Sequence, residues 1–542
     1  MAQAQKKKTK ITIKRADKWE NKERFGKNVQ RLIGNVIAVQ DSTTFMADSA
    51  FLNTKSQDLD AYNNIHIVVN DTVHLYGDSL FYNGNQRIAH LYGDVRLTDP
   101  TTTLTTDYLI YNRNNQVASY TNGGKIINKE NVLTSIIGDY YPNSKVMLFK
   151  DSVVLTNPKY VMNSDTLKYN TASEVVTFTG PTTVKGKNNF IFAESGWYDT
   201  KTDLSILSKN AYVINDENTL KGDSIFYDAN KGLGQVYDAV RIEDTVNNLI
   251  IKGKFADYQK LLGYAYVTDS ALAISVDRGD TLYMHADSLY TFFDKDKKVK
   301  QMKAFPKVRF FRKDFQGQCD SLVYSYADSC ISFYKSPILW TGKNQMTSPD
   351  SIKLVTSNGV LDSLMIYNNA FIVSQDSTES FNQIKGKNMT GYFFDNDLRK
   401  IKVIGNAQTI YFPKEEGRAA SNVNKTSSSD MLIRLQDNKL RSITYENKPD
   451  GNVYPVTDLP ISEWFLKDFI WYGNLRPKNR HDVYPRKAKS YTADDIKAIN
   501  GSSEDEDKEI PDKKPEEANQ DRLVPKKENQ EIDIKESSFE QE

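Results

Sequence analysis

The stretch KGDSIFYDANKGLGQVYDAVRIED, residues 221–244, decides the fold, because nearly the same phrase, YGDSLFYNGNQRIAHLYGDVRLTD, stands at residues 76–99. Each copy reads as an acidic residue, an alternating segment ending in Tyr, a polar turn, and a second alternating segment that carries Val. A hairpin-sized phrase that returns calls for a search for further copies, since self-similarity at a fixed period marks a repeat architecture. Asp78 with Tyr82, Asp107 with Tyr111, Asp165 with Tyr169, Glu194 with Tyr198 and Asp223 with Tyr227 share one frame, their acidic positions stepping by 29, 58, 29 and 29 residues. A degenerate copy around Asp139 fills the double step. Looser copies stand at Lys254 with Tyr258, at Asp287 and at Asp320 with Tyr324, and an early one at Asp48. A unit of 29 residues thus recurs about a dozen times.

In GDSLFYN, Asp78, Leu80 and Tyr82 fall on one face and Ser79 and Phe81 on the other; in GDVRLTD, Val95 and Leu97 alternate against Arg96. Period two means strand. Between such segments lie NGNQ, NRNN, DANKG and NTAS, whose Asn, Gly and Asp tolerate positive φ and close tight turns. Long 3.6-residue stripes are absent between residues 30 and 415, so the expectation is an all-β body with two strands and two turns per unit.

The formal net charge of +1 gives no global field to recruit a polyanion, and no basic stripe with interleaved aromatics occurs, so no nucleic-acid partner is expected. No run of 18 apolar residues is present to cross a membrane as a helix. The polar, Lys- and Asn-rich strands lack the continuous apolar band of an outer-membrane barrel. His66, His74, His90, His285 and His481 are scattered without metal-ligand spacing, so no metal, cofactor or catalytic base is expected. In a hairpin around SYADS, Tyr324 would face Cys330 and Cys319 would lie ~16 Å along the strand, too far for a disulfide.

The ends differ from the body. Residues 1–24 read as a basic N-terminal segment in which no signal peptide is visible, and 25–416 as the repetitive body. Residues 417–430 read as a loop or hinge, and 431–455 as a final β unit. Residues 456–490 are aromatic-rich, with Trp464, Phe465, Phe469, Ile470, Trp471 and Tyr472 clustered, and read as a short helix capping the stack or as a docking segment. Residues 491–542 read as a charged, disordered tail; from 501 onward it holds 15 acidic and 7 basic residues.

A solitary acidic residue every 29 positions lacks the nine-residue glycine-rich pattern of calcium-binding β-rolls. It reads as an acceptor for backbone donors beside a turn, and the repeated Tyr as a packing residue stacked ring on ring with its counterpart in the next unit.

The phrases ADSAFLN, GDSLFYN and KGDSIFYD, followed by Gly34-Asn35-Val36, Gly93-Asp94-Val95 or the variant Gly405-Asn406-Ala407, resemble the OstA-like family over about residues 30–415, at most to 450. That family comprises periplasmic lipopolysaccharide-transport bridge proteins and the N-terminal domain of the outer-membrane lipopolysaccharide assembly protein. The chain carries more units than a typical bridge protein, and the barrel of the assembly protein has no counterpart here. The resemblance implies an elongated β-jellyroll of stacked antiparallel strands, an open V-shaped trough that holds lipid A acyl chains and passes lipopolysaccharide toward the outer membrane without bond making. Leu80, Tyr82, Val95, Leu97, Leu109, Tyr111, Leu167, Tyr169, Ile225, Tyr227, Val240 and Ile242 are the expected lining. It also implies a periplasmic location and pairing of exposed edge strands with other OstA-like jellyrolls and with an outer-membrane barrel.

The residues themselves leave a second reading open. Large inward aromatics fill a seam as readily as they line one, which would make a structural or adhesive β-solenoid with a dry core. A polysaccharide-processing β-helix enzyme would need a carboxylate cluster that breaks the repeat, and none is found.

Overall fold

The computed structural model describes residues 9–484, apart from 216–217, 229, 247, 278, 297, 358–359, 376–379, 395–396, 414–419 and 437–438, together with residues 491–492. Thirty-eight strands form one continuous sheet, paired antiparallel throughout. The strands extend beyond the repeated phrases: Val73–Asn83 and Ile88–Thr98 each run 11 residues, so GDS and GDV fall in mid-strand.

At each midpoint the pairing register slips, as between Tyr76 and Ser79. There most alternate strands carry two successive left-handed residues, including Gly34-Asn35, Asn63-Asn64, Gly93-Asp94, Lys209-Asn210, Asp238-Ala239 and Gly405-Asn406, while Val175–Gly186 carries Gly180 alone. Such a pair bends a strand sharply, in the manner of a bulge, and the bends align into a crease that folds the sheet lengthwise into two arms. The repeated acid holds the crease. Asn64 Nδ2 donates to Asp48 Oδ2 (2.8 Å) and Asn210 Nδ2 to Glu194 Oε1 (2.7 Å), while Lys335 pairs with Asp320 (3.0 Å). The acceptor role is therefore real, but it serves a mid-strand corner and largely side-chain donors. The corner also takes Asp78 off the face of Leu80 and Tyr82: Asp78 is exposed while both others are buried.

The arms separate outright further along. Asp280–Phe293 pairs with Val299–Phe305 through one half and with Val308–Phe311 through the other, and the two series rejoin on Asp397–Tyr411. The core lies between the arms.

Four expectations need correction. The sheet begins at Thr12, with Ile11 already buried in the core, because ITI alternation outweighs the flanking lysines. Residues 422–430 are not a hinge: Asn422–Gln436 is a 15-residue strand whose Ser, Thr and Asn are held by partners on both sides. Cys330 pairs with Ser325 and not Tyr324, and Cys319 belongs to the other arm. Residues 459–484 contain short 3-10 turns and the two-residue strand Ile470–Trp471 in place of a capping helix, and do not close the end of the stack.

Those residues form a strap along the outer face of one arm. Leu459, Phe465, Leu466 and Phe469 pack on Phe371, Val373, Phe381 and Ile410. Two buried glutamines grip its backbone. Gln383 donates to Trp464 O (2.7 Å) and accepts from Leu466 N (2.8 Å); Gln345 donates to Ile470 O (2.9 Å) and accepts from Tyr472 N (2.7 Å). Of the expected tail, 491–542, Tyr491–Thr492 pair as a short strand with Ile470–Trp471, and 493–542 lie outside the described residues.

Candidate functional site

The inner face of the first arm carries one cross-strand row that tells how the seam is filled. In register it reads Tyr82, Ala89, Tyr111, Ala118, Tyr140, Met147, Tyr169, Val176, Tyr198, Ser205, Tyr227, Gly234, Tyr258, Ala265. Tyrosines alternate with smaller residues, so successive tyrosines sit two strands, or about 9.6 Å, apart. They do not stack on one another; each lies over a smaller neighbour. Touching rings run instead along the outside, as in Tyr62–Phe81 (6.2 Å), Phe81–Tyr92 (5.7 Å) and Tyr92–Tyr108 (4.7 Å).

Up to Val176 this row is sealed. Tyr82, Tyr111, Tyr140 and Tyr169 are each at most 1% exposed, and three of them reach across to the rim of the second arm. Tyr82 OH donates to Gln40 Oε1, to which Arg113 Nη1 also donates (2.9 Å). Tyr140 OH donates to Asp99, which also pairs with Lys145 (2.8 Å). Tyr169 OH accepts from Asn131 Nδ2 (3.2 Å) and donates to Asn128 Oδ1 (3.3 Å). Arg87 (2.9 Å) and Arg113 (3.7 Å) pair with Asp41 along the same mouth. Burial pushes the Tyr111 phenol up to about 12, with the Arg113 charge opposing it. The interior is filled with Leu, Phe and Tyr side chains. Over residues 11–176 the seam is a dry core.

Beyond Tyr198 the lacing ends. Tyr198 OH turns to Asp203 in its own hairpin turn (2.6 Å), and Tyr227 and Tyr258 are 40% and 38% exposed at the rim. Ala193, Ala211, Ala256, Ala271, Ala273 and Ala286 are buried near the crease, beside the larger Ile225, Val236 and Val240. Opposite the tyrosines, Ile191, Val213, Leu220, Ile242, Leu249 and Met284 are only partly buried. A buried floor that includes Ile225 and Val240 and partly exposed apolar walls define an open groove across seven strands, from Asn189–Asp199 to Asp280–Phe293. Six strand spacings make it about 29 Å long.

The structure divides the expected lining accordingly. Leu80, Tyr82, Val95, Leu97, Leu109, Tyr111, Leu167 and Tyr169 point inward but are sealed. Ile225 (3%) and Val240 (2%) form buried floor, Ile242 lines the wall, and Tyr227 stands at the rim. One continuous groove is thus replaced by a sealed length and an open length. Of the partly buried wall residues, sequence reading named Ile242 and missed Ile191, Val213, Leu220, Leu249 and Met284.

Two histidines are brought together across a hairpin. His66 Nε2 lies 3.1 Å from His74 Nδ1, and burial, then the charges of His74 and Arg96, lower the His66 pKa. Among the described residues, no group of three or more His, Cys, Asp or Glu is arranged to hold a metal ion. Cys319 and Cys330 are buried free thiols, and burial raises Cys319 to about 12.

Residues 8–165 match the family model described as OstA-like protein. No curated protein matches the chain. Among solved structures, LptH from Pseudomonas aeruginosa is similar, described as the LptA homologous periplasmic component of the conserved lipopolysaccharide transport device. It is 16% identical, and the match covers 20% of this chain and 81% of that one with a TM-score of 0.19. The match to the OstA-like model spans most of the length in which the seam is sealed.

Proposed function

We propose that this protein is a non-enzymatic carrier that holds acyl chains of a lipopolysaccharide-type lipid in the open groove between Asn189 and Phe293 and passes the lipid toward the outer membrane from the periplasm. The observation that carries this reading is the partly exposed apolar wall of Ile191, Val213, Leu220, Ile242 and Met284 on the arm opposite Tyr227 and Tyr258. A soluble surface seldom leaves so long an apolar strip uncovered without a ligand for it. The OstA-like match over residues 8–165 supports a role in lipopolysaccharide transport. Edge strands at Thr12–Arg15 and Asp450–Pro455 suit pairing with jellyrolls of the same kind and with an outer-membrane barrel.

Energetics favour a groove that stays partly open. Burial of one CH₂ yields about 0.8 kcal/mol, so several fully enclosed acyl chains would exceed the practical ceiling on affinity and could not be released. Partial burial along similar strands allows movement at small cost.

The self-filled reading keeps a specific support over residues 11–176, where the seam is dry. In the carrier, that length is a rigid spacer.

Site-specific photo-crosslinking in cells tests the proposal. Probes at Tyr227, Tyr258 and Ile242 should capture lipopolysaccharide, and probes at the sealed Tyr111 and the outward Arg96 should not. A folded protein with no adduct at the first three positions would sink it.

A further inference from the structure

The strap grips a single outward row: Gln316, Trp340 and Gln345 lie in register, and the row continues through Phe311, Tyr283 and Ile274 to Ile250. Beyond Ile250 nothing described covers it. There the outer face carries apolar Ile214, 39% exposed, and in the adjoining row three cations on consecutive strands, Lys221, Arg241 and Lys252, directly opposite one another. Like charges in cross-strand pairs are unfavourable. Among the described residues, Glu243, bonded to Arg241 and within electrostatic reach of Lys221 and Lys252, offsets them in part.

We infer that residues 501–542 of the same chain dock on this face, with the acidic run Glu504–Asp507 against Lys221, Arg241 and Lys252. Three observations carry the inference. The segment holds 15 acidic and 7 basic residues, so its charge complements the cation rows. Its EIDIKE run at 531–536 alternates acidic and apolar residues, as does a strip suited to an apolar row beside a basic one. The chain arrives on the right face: Thr492 pairs with Ile470 on the strap, beside Gln345. From there Lys252 is six strand spacings away, about 29 Å, and residues 493–504 reach about 40 Å when extended. The docked face lies outside the groove, and the inference stands apart from the carrier reading because it is tested without lipid.

The test is zero-length carbodiimide crosslinking of the full chain at low salt, using an equal mixture of isotopically heavy and light protein. Lys221 and Lys252 should crosslink to carboxylates of 501–542 within single molecules. The crosslinks should fall about tenfold at roughly 1 M salt, where the Debye length is about 3 Å. They should also be lost in a variant carrying Glu504→Lys, Asp505→Lys, Glu506→Lys and Asp507→Lys, which leaves the folded body untouched. Crosslinks spread evenly over other surface lysines, none at all, or crosslinks joining heavy to light chains would each overturn intramolecular docking.

Discussion

Tyr140 and Asp99 meet across the mouth of the sealed seam, the phenol of one arm donating to a carboxylate of the other that is 1% exposed and also paired with Lys145. Burial pushes the Asp99 carboxyl up, but hydrogen bonds from Lys145, Tyr140 and the Thr101 backbone outweigh it and leave the pKa below the ordinary value. A carboxyl depressed in the folded state stabilises fully above its unfolded pKa, about 3.9, and the contribution disappears as pH falls through the folded value. Asp99→Asn should therefore cost about 1–3 kcal/mol near neutrality and less in acid. Urea unfolding at a series of pH values reads this; an equal cost at all pH values would contradict it.

The crease makes opposite demands at two positions. Gly93 has φ +76°, and a Cβ there would stand 2.3 Å from Asp78 Oδ2, so Gly93→Ala should destabilise by about 2 kcal/mol or more. Ala239 occupies the same left-handed region, at φ +49°, while exposed. Ala239→Gly should accordingly gain about 0.5–1 kcal/mol, the relief of strain exceeding the entropy cost. Equilibrium unfolding of the two variants should show shifts of opposite sign.

Gly234 lies between Tyr227 and Tyr258 on the groove face, and an added Cβ would meet both only at ordinary contact, 3.7 and 3.8 Å. Gly234→Leu should fill the groove without disturbing the fold. Lipid binding should weaken about tenfold, or roughly 1.4 kcal/mol, with the melting temperature unchanged.

Gln383 satisfies the strap backbone with both ends of its amide. Gln383→Ala leaves the Leu466 N–H unpaired in a buried place, a loss of about 1–3 kcal/mol confined to strap attachment. Hydrogen exchange at Leu466 should accelerate and proteolysis should open residues 456–470, while exchange at the sealed strands stays slow.

The sequence carried the strand class, the period and the inward residues, because alternation and turn chemistry are local. It also carried the crease, though its meaning was hidden: Gly93-Asp94 looks like a turn pair until the register with Asp78 shows one bent strand. Closure was not legible. Whether Tyr82 seals a seam or Tyr227 rims a groove depends on whether a partner such as Gln40 lies across from it, and such pairings join residues dozens of positions apart. The polar strand at 422–430 was hidden for the same reason, since its partners on either side, and not its Ser and Thr content, make it a strand.

The alternation of tyrosine with smaller residues sets a rule for how such a chain can lengthen. Inserting one strand would place Tyr beside Tyr and leave an alanine facing an alanine, and would also reverse the direction of every strand that follows. Inserting a hairpin preserves both the alternation and the chain direction. Growth or loss by whole units of 29 residues is therefore structurally silent, and the length of the molecule becomes a quantity that gene duplication can adjust in steps of about 9.6 Å.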